Sequence, residues 1–301
     1  MNENYYASVD IIIPTLNRQE ALQNTLKCLQ KQTLRNFQII IVDQSDEEIS
    51  VVPDPGKEEI RFKYIHIKQK KLTLARNVGL QNSEAGIIIF IDDDVKLPGN
   101  FVEAHLNSYK NREKDNIGAV AGRIEENNKR CSVKGNTPKT MFGYNVFGRA
   151  YPNRGGDTFQ EVLGFPGGNF SIRREVTKQN GYFDERFEGT ALFEETDMAY
   201  RIRKAGYKIM FNPEARLFHL ELPSGGCRAG GLQAEQYWRF RNAALFYLKN
   251  KNWLGIPLFF SCFICIAIWK AIELKDLKVF PLLVKGLFDG IIIYFTVKNR
   301  K

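Results

Sequence analysis

The sequence predicts an α/β protein built on a doubly wound, mostly parallel sheet, and three observations carry that prediction. Between Val9 and about Gly122, short apolar runs alternate with amphipathic stretches. The runs are rich in Ile, Val and Phe with no polar alternation, as strands buried on both faces require. Three of the runs end in distinctive polar groups: Pro14, Thr15, Asn17 and Arg18 after the first, Asp43 after the second, and Asp92, Asp93 and Asp94 after the fourth. Repeated βαβ units bring such strand ends together at one edge, where ligands of open α/β sheets bind.

Taken in order, "VDIIIP" reads as the first strand, "NRQEALQNTLKCLQKQ" as a helix and "FQIIIVDQSD" as the second strand. "IRFKYIHI" is a third strand, "LTLARNVGLQNSEA" a helix, "IIIFIDDD" a fourth strand, "FVEAHLNSYKN" a helix, and "IGAVAGR" closes the series. The stretch from Ile124 to Phe165 is rich in Gly, Asn, Lys and Arg, and reads as loops with a short hairpin over the site. Regularity returns at "FPGGNFSIRREV", where Gly167 and Gly168 allow close backbone approach and a helix starts near Arg173. "LFEETDMAYRIRKAGYKIMFNPEARLFHL" predicts a helix carrying Glu195, Asp197 and Arg201, stopped by Gly206, then a strand to His219. "AEQYWRFRNAALFYLKN" predicts one more helix.

After residue 250 the solvent class changes, so the expected organisation is one α/β domain over 1–250 and an apolar, membrane-associated helical segment over 251–301. Trp253 to Trp269 carries no charge and only just approaches the length of a bilayer core. The second apolar stretch, Val279 to Val297, contains Lys285 and Asp289 at a spacing that pairs them on one helix face. A shallow hairpin or membrane-surface helix pair fits this pattern, and cover for an apolar face of the domain or a dimer interface is the alternative. Flanking Lys249, Lys251, Lys270, Lys275 and Lys278, with the terminal "VKNRK", favour the cytoplasmic face of the cell membrane.

The formal charge of +9 points to phosphorylated ligands, an anionic membrane surface or nucleic acid. Nucleic acid is the weakest of these, because basic and aromatic residues do not interleave as in a strand-binding platform. The five cysteines are scattered, which argues against a disulfide framework and for a reducing compartment. Cys262 and Cys265 form a CxxC inside an apolar run with no second pair, so packing explains them better than zinc. The opening "MNENYYASVD" lacks a basic and apolar signal region.

Three adjacent aspartates at a strand end repel one another and raise each other's pKa unless a cation or a solvated loop relieves them. Pro98 and Gly99 follow, so a turn with an Asp cap is one reading. The other is a divalent-cation site, since oxygen ligands of this kind suit Mg²⁺ or Mn²⁺.

"IIIPTLNR", "IIVDQSD", "LARNVGL", "FIDDDV", "GGNFSIRRE", "FEETDMAYRIRKAGY" and "FHL" occur in the order shown by family-two inverting glycosyltransferases, which the chain resembles over residues 8–245. The resemblance implies a GT-A, Rossmann-like fold and a nucleotide diphosphate-sugar donor. It implies that Asp92 lies near ribose or metal, that Asp94 ligates Mn²⁺ or Mg²⁺, and that His219 helps hold metal or diphosphate. It further implies that Asp43 accepts hydrogen bonds from the base, that Pro14, Thr15, Arg18 and Asp93 line the nucleotide pocket, and that Arg76 is the pocket arginine. Gly168 and Asn169 would lie where the acceptor enters.

Inverting transfer needs a carboxylate to take the acceptor hydroxyl proton. Glu194, Glu195 and Asp197 supply candidates, and the family pattern Glu-Asp-x-Asp maps its base onto Glu195. Here that position is Glu rather than Asp, which leaves Glu194 and Glu195 both open, while Asp197 reads as structural or acceptor-binding through a pair with Arg201. "QYWRF" is similar to the Gln-x-x-Arg-Trp motif of processive polysaccharide synthases, but ends in Phe. Arg239 and Arg241 either face phosphates of a lipid-linked acceptor or pack an amphipathic helix. The expected activity is metal-dependent transfer of a single sugar to a glycan or lipid-linked acceptor in cell-surface polysaccharide synthesis. A sugar nucleotidyltransferase would carry a Gly-rich, Lys-containing loop that "PTLNRQEA" lacks, and a non-catalytic binding protein is the second rival.

Overall fold

The computed structural model describes residues 8–49, 60–110, 112, 115–126, 129–130, 156–220, 222, 226, 231–250, 265, 267–269, 271–273, 275–277 and 279–298. The elements expected up to Gly122 all form. Strands β1 (Val9–Thr15), β2 (Phe37–Asp43), β3 (Arg61–His66) and β4 (Ile87–Ile91) alternate with helices α1 (Gln19–Leu29) and α2 (Leu72–Gln81). The short β5 (Val95–Lys96) follows the aspartates, then α3 (Phe101–Asn107) and β6 (Ile117–Glu126). Next come β7 (Lys129–Arg130), β8 (Gln160–Val162), β9 (Asn169–Arg173), α4 (Arg174–Asn180), α5 (Glu194–Lys204) and β10 (Lys208–His219). Helices α6 (Gly231–Lys249) and α7 (Val279–Lys298) complete the described elements.

One sheet runs in the order β3-β2-β1-β4-β9-β6-β10-β5, with β7 on β6 and β8 on β10. The block β3-β2-β1-β4 is parallel throughout, as is the β6–β10 pair, and β9 inserts antiparallel between β4 and β6. The apolar strands are buried on both faces. Ile11 and Ile13 pack with Leu22 and Leu26 of α1 and Phe101 of α3, while Ile12 packs with Ala75 of α2 and Met198 of α5 on the other side. Each such fully buried isoleucine contributes about 1.5–3 kcal/mol. Of the hairpin expected over the site, the β6–β7 pairing of Glu125 with Arg130 is present, and residues 131–155 lie outside the described ones.

Helix α7 lies on α6 and forms a third core with it. Leu283 and Leu287 join Phe240, Ala244 and Phe246 of α6 and the loop residues Phe187 and Phe193. The approach is close, since a Cβ on Gly290 would fall 2.3 Å from the Arg241 carbonyl oxygen. The stretch Val279 to Val297 thus covers an apolar face of the preceding domain, and Lys285 pairs with Asp289 at 2.8 Å. Among the described residues no helix is long and apolar enough to cross a membrane. Most of the Trp253 to Trp269 run, Cys262 included, lies outside the described residues.

Candidate active site

The parallel block places the ends of β1, β2 and β4 side by side, with Thr15 in register with Asp43. The chain beyond Ile91 is then folded back by β5, which pairs antiparallel with the end of β10, so that His219 faces Val95 and the Leu220 amide donates to the Asp94 carbonyl at 2.9 Å. Thr25 of α1 fixes the same loop: its hydroxyl donates to the Asp93 carbonyl at 2.7 Å and accepts from the Val95 amide at 3.1 Å. This backbone arrangement brings His219 to the aspartates from more than a hundred residues away. His219 Nε2 stands 3.1 Å from Asp94 Oδ1 and 3.6 Å from Asp92 Oδ2. One ligand atom from each of Asp92, Asp94 and His219 lies within 4.8 Å of the others.

Arg18, just beyond β1, answers the crowded negative charge. Its Nη1 donates to Asp94 Oδ2 at 2.9 Å and to Asp93 Oδ1 at 3.3 Å. The three acids behave differently because their surroundings differ. Burial pushes Asp93 up to about 6, against the Thr15 hydroxyl that donates to it at 2.6 Å and against Arg18. Burial also pushes Asp94 up, but the His219 ring and Arg18 outweigh it and hold Asp94 below the usual carboxylate range. Asp92 is the open member, with its side chain 37% exposed. It has room only because residue 168 is glycine: a Cβ there would sit 2.2 Å from Asp92 Oδ2.

On the far side of the same cavity stands the N-terminus of α5. Its first two residues share a charge and differ in environment. Glu194 is buried against the buried Arg76, whose Nη2 also donates to the Gly167 carbonyl at 2.7 Å and whose guanidinium lies over the Phe170 and Phe183 rings. Glu195 is partly exposed and faces the cavity. Asp197 points away into the protein, where Arg201 at 2.9 Å, Lys249 at 2.8 Å and Asn250 at 3.1 Å surround its carboxylate.

The cavity measures about 490 Å³ and collects most of the residues singled out in the sequence. Pro14, Thr15, Arg18, Arg76, Asp92, Asp93, Asp94, Gly168, Glu194, Glu195 and His219 all line it. Three others, Asp43, Asn169 and Asp197, do not line it. Asp43 is fully buried at the end of β2, accepting from the Ser45 amide at 2.9 Å and the Tyr64 hydroxyl at 2.7 Å, so its carboxylate orders the β2 exit. Asn169 is fully buried in β9, donating to the carbonyls of Arg123 at 2.8 Å and Ala215 at 2.9 Å, with its Oδ1 against His105. Asp197 makes the pair with Arg201 that the sequence suggested, inside the ion-pair cluster just described. The wall also includes Gln44, Leu72, Thr190 and Leu192, and Glu235 and Arg239 from α6. Of these only Arg239 had a sequence signal, and its partner is Glu235 at 2.8 Å. Arg241, by contrast, is buried in the α6 packing.

The donor set fits a hard divalent cation. Two carboxylates and one imidazole converge without a thiolate, as Mn²⁺ or Mg²⁺ prefers. Asp94 Oδ1 is a buried oxygen that accepts no hydrogen bond among the described residues, although His219 lies within ion-pair distance.

Comparison with known proteins agrees with this geometry. The model of the family described as "Glycosyl transferase family 2" matches residues 10–181. A Campylobacter jejuni protein, GalNAc(5)-diNAcBac-PP-undecaprenol beta-1,3-glucosyltransferase, is 26% identical over 185 residues, covering 60% of this chain and 56% of that protein. The Staphylococcus aureus poly(ribitol-phosphate) beta-N-acetylglucosaminyltransferase TarP is 29% identical over 140 residues, 44% of this chain and 40% of its own. A Rickettsia conorii glycosyltransferase is 32% identical over 120 residues, of which the match covers only 20% of the relative's length and 35% of this chain. Among solved structures, S. aureus TarS 1-349 in complex with UDP-GlcNAc superposes with a TM-score of 0.64 at 15% identity, over 94% of this chain and 80% of that one. That likeness establishes the expected GT-A type of mixed α/β sheet. With the matching family model covering more than half of the sequence, the chain belongs to glycosyl transferase family 2.

Proposed function

We propose that the protein is a metal-dependent, inverting glycosyltransferase that moves one sugar from a nucleotide diphosphate-sugar to a glycan or lipid-linked acceptor at the cytoplasmic face of a membrane. The observation that carries this reading is that the Asp92, Asp94 and His219 cluster and the Glu195 carboxylate open into one cavity, while the neighbouring Glu194 is tied to Arg76. Asp92, Asp94 and His219 would hold the Mn²⁺ or Mg²⁺, which would supply Lewis-acid stabilisation of the departing diphosphate oxygen. Arg18 adds a guanidinium on the same side, able to turn from the aspartates toward phosphate oxygens. Glu195 accepts the proton of the acceptor hydroxyl as its oxygen bonds to the anomeric carbon. The bond from that carbon to the diphosphate oxygen breaks on the opposite face, and the nucleotide diphosphate leaves.

The relatives support the choice of substrates. Their names include an undecaprenol-linked and a poly(ribitol-phosphate) acceptor, and the TarS structure holds UDP-GlcNAc. A role in cell-surface polysaccharide synthesis is part of the same proposal. The test is Glu195→Gln. Transfer falls by about 10²–10⁴-fold, the usual worth of a positioned general base, while Mn²⁺ and nucleotide binding persist. Wild-type transfer by this variant contradicts the assignment.

A further inference from the structure

We propose that α6 is the positioning element for the acidic end of the active site: Trp238, Arg241 and Asn242 hold the strained loop that aims Glu195 into the cavity. The inference rests on Glu195 being the base.

The loop runs from Asp184 to Phe193 and ends at the first turn of α5. Three of its last five residues have left-handed backbone: Gly189 at φ 64°, Ala191 at φ 52° and Phe193 at φ 78°. Glycine takes that conformation freely, but Ala and Phe do so only at a cost, because their Cβ crowds the backbone. Such residues persist where surrounding contacts over-determine them. Phe193 is also the residue that caps α5, where its carbonyl accepts from the Asp197 amide at 2.8 Å. Any relaxation at 189–193 therefore rotates the first turn of α5, on which Glu195 sits.

Lys71 and Thr73 at the start of α2 hold the middle of the loop, donating to Glu188 Oε1 at 2.9 Å and to the Phe187 carbonyl at 3.3 Å. One face of α6 supplies the remaining contacts that oppose relaxation toward residue 193. The Arg241 guanidinium donates to the Arg186 carbonyl and to Glu188 Oε2, the latter at 3.1 Å. Asn242 Nδ2 donates to the Glu188 carbonyl at 3.1 Å. Trp238 lies against Gly189 so closely that a Cβ there would be 2.2 Å from the ring. Arg241 and Asn242 are buried, and Arg241 sits over the Trp238 ring at 5.2 Å. None of the three lines the cavity, so they act through the loop. From behind, Gly290 of α7 rests on the Arg241 carbonyl. The metal cluster is built on other elements, the ends of β4 and β10, and does not depend on this support.

The test is Arg241→Gln in the full chain, with Trp238→Leu as a second variant that leaves both buried polar groups in place. Hydrogen exchange of a peptide covering 186–193 accelerates by at least roughly tenfold, while the β4 peptide and Mn²⁺ affinity, measured with the metal alone, stay at wild-type values. With a donor chosen from a panel of UDP-, dTDP- and GDP-sugars, kcat falls by about 100-fold at unchanged donor KM, the loss expected when a reacting group is displaced by about an ångström. Unchanged loop exchange in both variants overturns the proposal. So does a faster-exchanging loop with wild-type kcat, or a loss of Mn²⁺ affinity in parallel, which would mean general loosening. The exchange result does not depend on which carboxylate is the base, and the Glu195→Gln assay decides that question separately.

Discussion

Side chains one residue apart in this protein have opposite roles, and their surroundings decide which. Glu194 and Glu195 begin the same helix, where a carboxylate is favoured by the helix dipole. Glu194 is buried with Arg76, and removing one member of such a pair leaves an uncompensated charge. Glu194→Gln is therefore expected to lower stability by about 3–5 kcal/mol in a denaturant titration. The partly exposed Glu195→Gln should change it by less than about 1 kcal/mol. Equal stability of the two variants would contradict this division of roles. Both positions stand out in the linear pattern, but choosing between them depends on Arg76, which reaches Glu194 from another helix. The same limit explains Asp43 and Asn169, whose side chains meet Tyr64 and His105, partners on other elements that the linear pattern does not reveal. Asp197 was legible in part, since its i,i+4 pair with Arg201 can be read from spacing while Lys249 and Asn250 cannot. The aspartates were legible because three like charges at the end of an apolar strand repel one another and need positive charge nearby to stay ionised together.

At the scale of elements, strand and helix order up to β6 was readable from apolar runs and their spacing, since burial on both faces leaves an unbroken apolar signature. The antiparallel insertion of β9 and the two-residue β5 were not, because both are set by pairing with distant strands. The junction of α3 with β9 illustrates what such pairing creates. His105 is fully buried, with its ring nitrogens 3.0 Å from Ser171 Oγ and 3.0 Å from Asn169 Oδ1, and Tyr109 reaches the same Ser171 at 2.9 Å. Burial pushes the His105 pKa down to about 4. The unfolded chain, with an ordinary histidine, binds the proton more readily, so the stability due to neutral His105 is complete above about pH 6.5 and is lost as pH falls toward about 4. The expected loss is about 3 kcal/mol across that window. A His105→Asn variant should show a flatter dependence of its urea midpoint on pH between these limits. A slope equal to wild type would mean that His105 is not the group responsible.

For the whole molecule, the C-terminal helices serve two faces. One side of α7 closes the third core and backs α6. The other leaves Phe288, Ile292 and Phe295 at 57%, 60% and 51% exposure, spaced along one helical stripe. Residues 251–301 carry eight Lys and Arg against three Asp and Glu. An apolar stripe in a segment whose sequence carries excess positive charge would suit the surface of an anionic bilayer, where a lipid-linked acceptor would be presented. The protein is expected to co-sediment with phosphatidylglycerol-containing vesicles, more weakly at high salt, and the triple variant Phe288→Ser, Ile292→Ser, Phe295→Ser should lose that binding while keeping its fold. Binding that survives all three substitutions would place the contact elsewhere.

The central claim is that Asp92, Asp94 and His219 hold a cation at the mouth of a nucleotide diphosphate site. Thermal unfolding measured with UDP, dTDP, GDP and CMP, each with and without Mn²⁺, tests it most directly, because a ligand that binds only the folded state raises its apparent stability. The account predicts that one nucleoside diphosphate raises the midpoint only when Mn²⁺ is present, and that Asp94→Ala abolishes the shift. A shift of equal size without metal, or an undiminished shift in Asp94→Ala, would contradict it.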